Sequence, residues 1–129
     1  MSLLHDNITL AEHEHRIRAL IENNIDVVAL LDANGAVLYT SPSVENVLGF
    51  TAEEFAGRNV FALIHPDELQ EALRRFKRVV STAQTTERME LRYQHKDGSW
   101  RWIEVYGKNL IDEHGINAIV ANFRDISER

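Results

Sequence analysis

The chain has 129 residues, 44% of them apolar and 26% charged, with a net charge of −6 and no cysteine. That is the size and balance of one globular domain with a single core. The missing cysteines exclude disulfides, thiolate nucleophiles and Cys-type zinc sites, and an acidic balance without a basic stripe argues against a nucleic-acid partner. No apolar run approaches the roughly 20 residues that span a bilayer, and no leader with a cleavage site is recognisable. A soluble, cytoplasmic domain without direct membrane contact is expected, cut from a longer protein.

Residues 9–23 read as a helix: Thr9 is its N-cap, Glu12 the capping-box partner, and Ile17, Leu20 and Ile21 share one side. It is assigned to a flanking segment, residues 1–24, with the domain proper over 25–129. Val27–Leu31 and 36–40 are strand-like runs around Asp32-Ala33-Asn34-Gly35, where the Asn-Gly pair predicts a tight hairpin. Ser41 and Pro42 read as N-cap and first residue of a short helix to Leu48, closed by Gly49. Thr51 to Glu54 open a second helix with a capping box, ended by Gly57. Pro66, Asp67 and Glu68 open a third and longer one, with Leu69, Leu73, Phe76 and Val80 on its apolar face. Residues 87–95, 100–111 and 116–126 alternate as strands joined by Asp97-Gly98 and by Asp112-Glu113-His114-Gly115. This order describes an α+β domain whose antiparallel sheet carries its helices on one face.

The hairpin, Ser41-Pro42, Gly49-Phe50-Thr51, Ile64-His65-Pro66-Asp67-Glu68, Lys96-Asp97-Gly98-Ser99-Trp100-Arg101-Trp102-Ile103 and Arg124-Asp125-Ile126-Ser127 together resemble a PAS domain with a C-terminal PAC motif. The resemblance covers residues 16–129 and rests on the ordered set of motifs rather than on any one of them. It implies a five-stranded antiparallel sheet of order 2-1-5-4-3 with helices around a small cavity. It also implies a sensory or interaction module of a signalling protein such as a histidine kinase in a two-component system or a diguanylate cyclase. In the photosensory branches the flavin or chromophore is bonded through a cysteine, so both attachments are excluded here. The haem branch uses a histidine on the long helix, and residues 67–82 contain none, which argues against haem. His65 beside Pro66 reads as a hydrogen-bonding group at the helix start, and His13 and His15, two apart on a helix, do not share a face for a metal. With no P-loop, nucleophile elbow, dinucleotide motif or zinc-protease motif, the domain is not expected to be an enzyme.

Strand alternation turns Met89, Leu91 and Tyr93, then Ile103 and Val105, then Ile119, Ala121 and Phe123 toward the helices, where Leu48, Phe61, Leu73 and Phe76 meet them. These side chains either enclose a small apolar ligand or fill the core, and the filled core is the preferred reading, with no cofactor predicted. Asn46 and Tyr93 are the polar groups best suited to orient a ligand. Trp100, Trp102, Glu104 and Tyr106 then point the other way, with Ile116, Ala118 and Val120, and make an apolar outer face. Ile17, Leu20 and Ile21 are the nearest cover, so a homodimer built on the leading helix and this face is expected. The resemblance implies that Asp125 pairs with a base and that Asp125, Ile126 and Ser127 carry the output into a helix joined to an effector. The expected role is to sense or relay a small-molecule or redox signal through dimer and linker rearrangement. The alternatives are a ligand-free dimerisation or docking module and a noncovalent haem or flavin sensor of redox state or gas.

Overall fold

In the computed structural model, which describes residues 26–127, β1 (Val27–Leu31) and β2 (Val37–Thr40) are antiparallel neighbours. The predicted leading helix, with Ile17, Leu20 and Ile21, lies outside the described residues. The hairpin turn is wider than Asn-Gly alone predicts. Asp32 Oδ1 accepts from Asn34 N–H at 2.8 Å and from Ala36 N–H at 3.0 Å, and of the Asn-Gly pair only Gly35 has positive φ, at 88°. An aspartate that binds backbone two residues on competes with the two-residue turn.

Ser41 does not cap a helix. It is fully buried, and its Oγ accepts from Val28 N–H at 2.9 Å and shares a hydrogen bond with Ser43 Oγ at 2.8 Å. The hydroxyl thereby satisfies a strand donor that burial would otherwise leave unpaired. The first helix, α1 (Val44–Leu48), starts later and ends at Gly49, whose φ of 83° closes it. α2 (Ala52–Phe55) has the predicted capping box, Thr51 and Glu54 each accepting the other's backbone N–H. A 3-10 turn over Val60–Leu63, capped by Asn59, was not predicted. α3 (Pro66–Ser81) opens with Pro66 at its start and His65 as N-cap.

Three long strands follow, β3 (Thr86–Gln94), β4 (Trp100–Leu110) and β5 (Ala118–Asp125). The five-stranded sheet has order β2-β1-β5-β4-β3, with every pairing antiparallel. α3 packs over β3 and β4, and the core between helices and sheet is built on Val27, Leu48, Phe55, Tyr93, Ile103 and Phe123. Two buried polar groups fasten the layers. Tyr93 Oη donates to Val60 O at 2.8 Å. Asn109 donates through Nδ2 to Val79 O at 2.9 Å and Val80 O at 3.2 Å, and its Oδ1 accepts from Ile111 N–H at 2.9 Å. Carbonyls in the last turn of a helix have no partner within it, so a buried amide on a neighbouring strand is an effective one.

Replacing Asn109 by Ala strands those carbonyls and the Ile111 N–H, and is expected to lower stability by about 2–3 kcal/mol. Urea unfolding followed by tryptophan fluorescence measures it, and an unchanged midpoint would contradict the clamp.

Candidate ligand cavity and exit site

Strand register lines up small residues across the sheet, Gly107 opposite Ala121 and Ala121 opposite Ala29. Flanking inward positions carry Met89, Leu91, Ile103, Val105, Ile119 and Phe123. Large walls around a low floor leave a cavity of ≈ 80 Å³, lined almost entirely by apolar side chains. The filled core, the preferred of the two readings of these inward side chains, is not realised at this point, where the lining includes only small residues at Gly107 and Ala121 below and Ala72 above. Voids of this size are few in protein interiors.

Phe61, Phe76, Tyr93 and Ala121 also line the cavity, with Val60, Ile64, Ala72 and Val79, which the sequence reading missed. Three predicted positions lie elsewhere. Leu48 is fully buried but packs in the core away from the cavity. Leu73 is 44% exposed, because the buried stripe of α3 runs through Ala72 and Val79 and Leu73 sits about 100° further round the helix. Asn46 is exposed on α1, so it orients nothing here, and the Tyr93 hydroxyl is already used by Val60 O. At the mouth, Arg75 is held by Glu71 at 2.7 Å and donates to Arg88 O at 2.6 Å, strapping α3 to β3. Glu87 beside it lies 3.8 Å from Arg78.

On the other face Trp100, Trp102 and Tyr106 are 42%, 44% and 45% exposed. Val120 is half-buried and Ala118 buried, while Ile116 falls in the turn before β5. This face is less apolar than expected, since charges are set among the rings. Glu104, 8% exposed, accepts from Arg88 Nε at 2.8 Å. Arg92 lies over the Trp102 ring at 5.2 Å and is gripped by Glu68 at 2.6 Å and Asp67 at 3.2 Å. The His65 ring is 4.6 Å from Trp100, and its Nδ1 accepts from Asp67 N–H at 3.1 Å. His65, Asp67 and Glu68 are close enough to hold a cation together, but His65 Nδ1 is engaged by the helix start and Glu68 by Arg92.

The domain exit is fastened to the same strand. Ile126 N–H donates to Trp102 O at 3.0 Å, and Trp102 N–H donates to Ser127 Oγ at 3.1 Å. Asp125 Oδ1 accepts from Ser127 N–H at 2.8 Å. Among the described residues Asp125 makes no ion pair, contrary to the pairing the resemblance implies; the basic neighbour Arg124 reaches Asp26 at 3.4 Å instead. The Asp125 carboxylate is turned back onto its own chain, where it shapes the turn that presents Ser127.

A family model described as PAS fold matches residues 37–121. The chain is 27% identical over 110 residues to the blue light receptor lreA of Aspergillus flavus, covering 85% of this chain and 13% of that protein. It is 27% identical over 100 residues to the sensor histidine kinase TmoS of Ectopseudomonas mendocina, covering 78% and 10%. The structure is similar to a domain of a sensory box sensor histidine kinase/response regulator from Geobacter sulfurreducens, with TM-score 0.74 and 25% identity over 91% of this chain and 97% of that one. The chain therefore spans only a small part, 13% and 10%, of these two curated relatives.

Hydrogen bonds from Arg92 hold the Glu68 carboxyl below its ordinary value of 4.5. A carboxylate depressed in the folded state stabilises the fold fully above its unfolded pKa, and that contribution is lost as pH falls through the folded value. Glu54, held at about 2 mainly by Lys96, and Asp97, held at about 2 mainly by Ser99, act in the same direction. The melting temperature is accordingly expected to fall between about pH 5 and pH 2, and less steeply in Glu68→Gln. Calorimetry across that range checks it, parallel profiles for the two proteins counting against the Glu68–Arg92 pair.

Proposed function

The chain belongs to the PAS-fold family, and on that premise we propose that it is the sensory domain of a larger signalling protein, a histidine kinase, in which occupancy of the cavity is relayed to a linked effector. The observation that carries this reading is the double duty of β4. Ile103 and Val105 line the cavity, while the backbone of Trp102 beside them holds Ile126 and Ser127. An occupant that displaces β4 acts on the exit through hydrogen bonds of the same strand, with no intervening element. The kinase assignment draws on the two relatives whose names carry that activity.

The outer face supports a second part of the proposal, a homodimer in which residues 9–23 cover Trp100, Trp102 and Tyr106. Each of these rings is more than 40% exposed, and an aromatic side chain can bury about 150–250 Å². Covering them is worth several kcal/mol at about 25 cal/mol per Å², enough to draw an amphipathic helix or a second copy onto the sheet.

In the full-length protein, Asp125→Ala releases Ser127 and is expected to make autophosphorylation indifferent to the input that changes it in the wild type; retained dependence would refute the relay. Sedimentation of residues 1–129 on the order of tens of micromolar is expected to give a dimer, and Trp102→Glu a monomer. A wild-type chain that sediments only as monomer would refute the dimer.

A further inference from the structure

We infer that the cavity takes a compact, uncharged, apolar molecule and that Gly107 sets its capacity, an inference that rests on the reading of the cavity as the input site. Gly107 lies in the interior of β4, paired on one side with Glu87 and on the other with Ala121. Glycine weakens a strand interior, where it offers no side chain to pack. Backbone conformation does not demand it, since Gly107 is not among the residues with positive φ. A Cβ built on it would meet no atom within 4 Å. What the glycine provides is therefore the space above it. Ala121 beside it and Ala72 on the facing helix are the other small residues of the lining, so the opening is bounded below and above by residues that stop short.

The chemistry of the wall selects the occupant. The Tyr93 hydroxyl is used by Val60 O, Arg75 by Glu71 and Arg88 O, and Glu87 is directed at Arg78. Among the described residues no fully buried side-chain nitrogen or oxygen lacks a partner, and the lining surface is almost wholly apolar, so the wall offers a ligand almost nothing to hydrogen-bond. A polar molecule entering would surrender its hydrogen bonds to water without replacement. Size sets the other limit. At ≈ 80 Å³ the space is about half that of an engineered cavity of about 150 Å³ known to take benzene or xenon. Haem and flavin, which are far larger and carry polar edges, do not fit it; Met89, an adaptable side chain, is the wall most able to yield a little.

The test uses xenon as the apolar probe and ethylene glycol as the polar one, with methyl NMR of residues 1–129. Xenon is expected to shift the methyls of Ile103, Val105 and Ala121 saturably, and ethylene glycol at equal concentration to leave them in place. Gly107→Val, which puts three carbons into the void, is expected to bind xenon at least about tenfold more weakly without melting earlier than the wild type. Should it fail to fold, Gly107→Ala adds one methyl to open space and reports the same loss at smaller amplitude. No saturable xenon binding, equal binding by the filled variants, or ethylene glycol binding at the same methyls would each overturn the inference. If xenon binds as stated and Gly107→Val blocks it, yet the output of the full-length protein ignores the substitution, the ligand class stands and the sensory reading of the cavity falls.

Discussion

The alternation of β4 is the constraint on which the rest depends. The strand is paired with β3 from Thr86 opposite Lys108 to Gln94 opposite Trp100, and with β5 from Ile103 opposite Asp125 to Leu110 opposite Ala118. A strand bonded on both edges cannot slip by one residue without exchanging its two faces. Asn109 pins one end to the last turn of α3, and the exit residues grip the other at Trp102. Once Ile103, Val105 and Gly107 face the helices, Trp102, Glu104 and Tyr106 must face away, and cavity and aromatic surface become two sides of one decision.

The two sides also meet around the edge of the sheet. Glu68 in the first turn of α3 holds Arg92, and Arg92 lies on Trp102. A guanidinium stacked on a ring while bound to a carboxylate keeps both orientations at once, since its plane serves the ring and its edge the oxygens. The start of the helix that roofs the cavity is thereby in contact with the residue that receives the exit segment. Two residues back along β4, the His65 ring lies against Trp100 while its Nδ1 accepts from Asp67 N–H.

Much of this was legible in the chain itself. Period-two alternation, turn glycines and capping residues specified the strands and their parity, because each depends on local chemistry and on the burial of one face, whereas the sheet order came from the resemblance to the family and the structure has it. What escaped depended on contacts distant in sequence. Ser41 looked like a helix cap but serves a β1 donor thirteen residues away. Leu73 looked like core because large apolar residues attract that reading, whereas the buried position next to it is Ala72, small where the cavity needs room. Asn46 and Asp125 were assigned to partners by type, and the structure places the first in solvent and turns the second onto its own backbone. Gly107 did carry a signal, a glycine inside a strand, whose meaning appears only with its inward direction.

The margins of the sheet carry a consequence of their own. On β3 the outward carbonyl of Arg88 is taken by Arg75, and the N–H and carbonyl of Arg92 by Glu68 and by His65 N–H. On β2 both polar groups of Val37 are bonded to the segment after α2, through Gly57 and Arg58. An incoming strand from another molecule would find these rungs already occupied, which guards against the edge-to-edge growth that exposed strands invite. At these rungs the sheet is not free to extend sideways, and the freer approach is broadside, onto the ring-bearing surface of β4.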